Sequence, residues 1–124
     1  MDQEALVKGG QALVRHLDDT PVAPRLAMWV NFSDTGNWRL WIVPADAVQD
    51  KREFYRIVAT TISKFKPEMP NLDVGSVEYV NDNRPVVKGM SQFIHAPGIV
   101  NATLSGNTVN GVYIPDGVLI RSNL

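Results

Sequence analysis

Apolar positions along this chain switch between a period near 3.6 and a period of two, and proline, glycine or asparagine–aspartate clusters mark the switches. From Gln3 to about Asp18, Leu6, Gly9 or Gly10, Leu13 and Leu17 fall on one helical face, while Lys8, Gln11 and Arg15 lie elsewhere. Each glycine inside a helix costs about 1 kcal/mol against alanine, so the Gly9-Gly10 pair implies close packing of this helix on a neighbour. Thr20-Pro21-Val22-Ala23-Pro24 reads as an extended connector.

Strand periodicity follows. Leu26, Met28, Val30 and Phe32 share one face of a first strand, and Ala27, Trp29 and Asn31 share the other. In a second strand Trp38, Leu40 and Ile42 oppose Arg39, Trp41 and Val43. The intervening Asp34-Thr35-Gly36 suits a three-residue hairpin loop, with Gly36 at its positive-φ position. That loop predicts a register pairing Phe32 with Trp38, Val30 with Leu40 and Met28 with Ile42. On the reverse face it pairs Trp29 with Trp41 and Asn31 with Arg39.

Asp50-Lys51-Arg52-Glu53 reads as a capping box, opening a second helix that runs to about Phe65. Its stripe is Phe54, Ile57, Val58, Thr61, Ile62 and Phe65. Ser76–Val80 is a short strand, and Asn81-Asp82-Asn83-Arg84-Pro85 opens a third helix with Val87, Met90, Phe93 and Ile94 inward. The last quarter reads as a meander of strands Ile99–Ser105, Thr108–Pro115 and Val118–Arg121, with turns at Gly106-Asn107 and Asp116-Gly117. In it Leu104 faces Val109, Thr103 faces Asn110, and Tyr113 faces both Val100 and Ile120. The predicted fold class is α+β, in the order α-β-β-α-β-α-β-β-β. One domain spans 1–124, with a single mostly antiparallel sheet of about six strands and about three helices.

Charge and composition narrow the partners. Twelve basic and thirteen acidic side chains leave a net charge of −1, without the basic bias of a dedicated nucleic-acid binder. The absence of cysteine removes disulfides, thiol catalysis and Cys-ligated metal. Met1-Asp2-Gln3-Glu4 is acidic where a secretory signal is basic, and no apolar run approaches the roughly 20 residues of a membrane span. The expectation is a soluble cytoplasmic protein with no membrane contact.

Candidate chemistry is sparse. A buried tryptophan covers about 150–250 Å², so an open Trp29–Trp41 pair would expose roughly 300–500 Å², as much as the largest apolar patch of an ordinary monomer. The face therefore calls for a cover: first a helix of the same chain, then a protein partner or second copy, and last a stacked base. Trp29, Trp41, Asn31 and Arg39 form this candidate partner surface. Lys51, Arg52, Tyr55, Arg56, Arg84 and Lys88, with Lys64 and Lys66 nearby, would form one basic patch if the second and third helices are neighbours. Asp34-Thr35-Gly36 matches the tripeptide of aspartic proteases, but a chain with three helices lacks that all-β context, and the residues serve equally as turn chemistry.

His16 and His95 each sit near a helix end, and catalysis by either needs a carboxylate or nucleophile beside it. His16-Leu17-Asp18-Asp19 is the one metal-like cluster, and its plainer reading is a solvated helix end. Two residues after Glu78 stands Val80 rather than the lysine of a metal nuclease, and neither phosphate-loop glycine motif occurs. Asn101, Thr103, Ser105, Thr108 and Asn110 give a polar outer face, and Val118–Arg121 is read as a sheet edge open to an added strand. The sequence thus points to a small non-catalytic binding or accessory protein that uses no cofactor or metal and acts through protein contacts, with a homodimer among its forms. The alternative is a nucleic-acid-associated regulatory protein or small enzyme using the basic helices and an aromatic sheet face.

Overall fold

The first helical stripe becomes α1 (Gln3–Leu17), with Leu6, Val7, Gly9, Gly10, Leu13, Val14 and Leu17 buried. The structure is a computed structural model, and it describes residues 3–32, 37–45, 50–105, 107–109 and 111–124. The Asp34-Thr35-Gly36 turn lies outside them. After α1 come β1 (Pro24–Phe32), β2 (Asn37–Pro44), α2 (Lys51–Lys64), β3 (Val77–Tyr79) and α3 (Pro85–Phe93). Four short strands complete the chain: β4 (Ala102–Leu104), β5 (Asn107–Val109), β6 (Val112–Ile114) and β7 (Gly117–Ser122). Class and element order agree with the sequence reading. Asp50 caps α2 by accepting from the Arg52 N–H at 2.9 Å, while Glu53 pairs with Arg56.

The sheet is mostly antiparallel, as expected, but mixed, because one of its pairs is parallel. Its order is β3-β2-β1-β7-β4, with β3 parallel to β2 and the other pairs antiparallel. The expected meander is replaced. β4 pairs with β7, setting Thr103 opposite Val118 and Leu104 opposite Gly117. The segment expected as one strand, Thr108–Pro115, is interrupted at Gly111 (φ 78°), and β5 and β6 form a separate two-stranded ribbon in which Thr108 faces Tyr113. β7 is an inner strand held between β1 and β4, so the edges of the sheet are β3 and β4.

The tryptophan register is also corrected. Trp29 stands opposite Leu40, Met28 opposite Trp41, Val30 opposite Arg39, and Asn31 opposite Trp38. The faces predicted within each strand hold, but β2 is displaced by one residue against β1, so Trp29 and Trp41 point to opposite sides. Ala27, Trp29, Leu40, Ile42, Val118 and Ile120 pack with α1 and α2 in one core. Leu26, Met28, Val30, Trp41, Val43 and Leu119 pack with α3 and Ile114 of β6 in the other. Trp29 and Trp41 are 1% and 4% exposed, so each is covered by elements of this chain. Phe93, expected inward, is 52% exposed; Val86 and Gly89 take the buried side of α3 instead.

The glycine pair of α1 divides by role. A Cβ on Gly9 would meet Met69 Cβ at 3.7 Å, an ordinary contact, whereas one on Gly10 would fall 2.6 Å from both Trp29 Nε1 and Ile120 Cδ1. Gly10 is the close approach that lets α1 lie on the indole. Gly9→Ala is therefore expected to raise stability by about 0.5–1 kcal/mol through helix propensity. Gly10→Ala should lower it by about 1–3 kcal/mol through overpacking. Urea midpoints of the two variants would check this, and equal midpoints would contradict it.

Candidate functional site

The two candidate sets from the sequence are partly dispersed and partly merged. Trp29 lies under α1, and Asn31 is half-buried in β1, where its N–H donates to Asp116 O at 3.0 Å. α2 and α3 occupy opposite faces of the sheet, so the basic helices do not make one patch. Arg52 is exposed on α2. Arg56 is held by Glu53, and that hydrogen bond keeps the Glu53 carboxyl below its ordinary range and raises the guanidinium. Lys88, on α3, borders a shallow cleft with Arg25 and Asp82. The remaining members, Arg39 and Trp41 from one set and Lys51, Tyr55 and Arg84 from the other, all meet at β3.

β3 brings them together because it is an edge strand with α2 on one side and the start of α3 on the other. Glu78 stands beside Trp41 in the parallel ladder, facing the α3 side. Its Oε1 lies 3.6 Å from Arg39 Nη2, and its Oε2 lies 3.7 Å from Arg84 Nη1. The Arg84 guanidinium also sits 4.9 Å from the centre of the Trp41 ring, an arrangement that orients a planar cation. On the α2 side Lys51 lies 5.6 Å over Tyr79, whose ring meets Phe54 edge-on at 5.3 Å. Tyr55 reaches from α2 so that its hydroxyl oxygen accepts the Tyr79 N–H at 2.9 Å. The Val77 N–H is bonded to Val74 O. Both N–H groups are thus used within the chain, blunting an edge that would otherwise recruit another strand.

Glu78 and Tyr79 were not legible as site residues. Glu78 reads as a strand carboxylate of no evident purpose until the parallel pairing with β2 places it between two arginines.

A second constellation lies where α1 ends against α2. The His16 ring stacks flat on Phe65, with centroids 3.6 Å apart and 5° between planes, and its Nε2 is 3.0 Å from Glu68 Oε1. A cleft of about 340 Å³ borders it, lined also by Ile57, Thr60, Thr61 and Lys64. The Thr60 and Thr61 hydroxyls donate to the Arg56 and Ile57 carbonyls, so both are occupied in helix bonding. Asp18, adjacent to His16 in the metal-like sequence cluster, is bound by Arg121 at 2.6 and 2.9 Å. Among the described residues no group of three or more His, Asp or Glu could hold a metal ion. His95 is exposed beyond α3. A further cleft of about 340 Å³ runs beside Trp38, Asn71 and Ser76. Among the described residues no helix is long and apolar enough to cross a membrane.

No family model, no curated protein and no solved structure matches this chain. Removing the Tyr55 hydroxyl tests whether the edge is held as described. Tyr55→Phe keeps the ring against Phe54 but orphans the Tyr79 N–H. It should cost about 1 kcal/mol and accelerate hydrogen exchange at Tyr79 relative to Val80, whose N–H bonds Ile42 O within the sheet.

Proposed function

We propose that this protein is a small non-catalytic binding or accessory protein of the cytoplasm that acts through protein–protein contacts, with the β3 rim as its docking surface. The observation that carries this reading is the pair of half-exposed arginines around Glu78, backed by Trp41. Arginine, tyrosine and tryptophan are the residues most enriched where protein interfaces hold their binding energy. A guanidinium already laid on an indole loses less rotamer freedom on binding than a free one. Contact through side chains also agrees with an edge whose N–H groups are used internally.

The test starts from the immobilised full chain and the proteins it retains from its native cytosol. A retained partner is purified, and its Kd is measured against wild type and an Arg39→Glu/Arg84→Glu double variant. Loss of at least about tenfold in affinity, with an unchanged melting temperature, is the expected result. Full affinity in the double variant overturns the assignment of the rim. Oligonucleotide binding that falls steeply with salt would overturn the protein-contact reading in favour of nucleic acid.

A further inference from the structure

Resting on that reading of the rim, we infer that its partner presents an acidic peptide segment, and that Glu78 holds the carboxylate position until the partner displaces it. At 3.6 and 3.7 Å the two contacts to Glu78 are ion pairs but too long for hydrogen bonds, so they leave the guanidinium donors unspent on Glu78. A charge-assisted bond from arginine to carboxylate closes to about 2.7–2.9 Å and is often bidentate. Two guanidiniums around one carboxylate also leave one unit of positive charge unmatched. Both features suit a second carboxylate, delivered from outside, that can approach each fork more closely than the strand allows Glu78 to do. The edge favours displacement, since Glu78 is 33% exposed and Arg39 and Arg84 are 40% and 45% exposed.

A peptide fits better than a nucleic acid. Neutralising a run of phosphates takes an array of cations. Here Lys51 faces away over Tyr79, and the carboxylate of Asp82 lies two residues before Arg84, paired to Arg25. One or two carboxylates satisfy the rim; a phosphate backbone would meet Asp82 as well.

The experiment uses the full chain and a synthetic hexaglutamate peptide, with hexaglutamine and a six-nucleotide single-stranded DNA as controls. Binding is followed by NMR at the Arg84 and Glu78 amides and the Trp41 indole. Hexaglutamate is expected to shift these signals, and Arg84→Ala should abolish the shift. Glu78→Gln should tighten binding by about 2- to 5-fold, the worth of the exposed ion pairs it removes. Glu4→Gln changes net charge equally and removes the Glu4–Lys8 ion pair of α1 rather than a contact at β3, so it should leave the affinity unchanged.

Equal gains in Glu78→Gln and Glu4→Gln would reduce the effect to general charge and overturn the displacement. Weaker binding in Glu78→Gln would do the same, by making Glu78 part of the receptor. Preference for the oligonucleotide over hexaglutamate would overturn the acidic-peptide assignment. These failures differ from failure of the docking surface itself, in which the Arg39→Glu/Arg84→Glu variant keeps its partner.

Discussion

Everything in this fold depends on burying both faces of a narrow sheet, and the tightest expression of that constraint is the Trp29 indole against the backbone of Gly10. The indole is 1% exposed, and its buried Nε1 has no hydrogen-bond partner among the described residues. An unmade bond of this kind costs about 1–3 kcal/mol. Covering a tryptophan's 150–250 Å² at about 25 cal/mol per Å² returns roughly 4–6 kcal/mol. Apolar burial wins, and it wins only because a residue without a side chain lets α1 come down onto the ring. Gly117 answers the same pressure from the other side: a Cβ there would collide with the Trp29 carbonyl, so glycine permits the β1–β7 pairing that places Val118 and Ile120 beside the indole.

With α1 and α2 on one face, and α3 and the β5–β6 ribbon on the other, the middle of each sheet face is covered. What remains is the perimeter. The edge strand β3 is three residues long, and its Tyr79 and Val77 N–H groups are bonded to the Tyr55 hydroxyl and the Val74 carbonyl. Alternation along it still sends Glu78 to one side and Tyr79 to the other, where each meets cations from a different helix. The layers on the two faces of the sheet thereby both reach its rim at β3.

The sequence disclosed parity but not register. Along β1 and β2 the alternation correctly sorted Trp29 from Met28 and Trp41 from Leu40, because side-chain direction is a property of a single strand. Pairing between strands is different. Where one face is wet, a slip of one residue exposes apolar groups and is recognisable; here both faces are apolar, so the hydrophobic pattern does not separate Trp29 opposite Trp41 from Trp29 opposite Leu40. The Gly9-Gly10 pair was legible as a close approach because glycine inside a helix is costly whatever surrounds it. The parallel β2–β3 ladder was not, since nothing local distinguishes a three-residue parallel strand from an antiparallel one. With it goes the site: Arg39 and Trp41 fall in one sequence group and Lys51, Tyr55 and Arg84 in another, and nothing local to Glu78 joins it to Arg39 and Arg84.

The same tryptophan that the register moved is what gives the rim its rigidity. Trp41 is 4% exposed and belongs to the same core cluster as Met28, Val43, Val86 and Val87, yet the face of its ring carries the Arg84 guanidinium at 4.9 Å. An exposed arginine ordinarily samples many rotamers, and a surface ion pair alone is worth too little to hold it. Stacking on a side chain that belongs to the core transfers the order of the core to a group in contact with water. The proposed site is therefore no separate device added to the fold. It is the place where the second hydrophobic core reaches the sheet edge and can orient a charge.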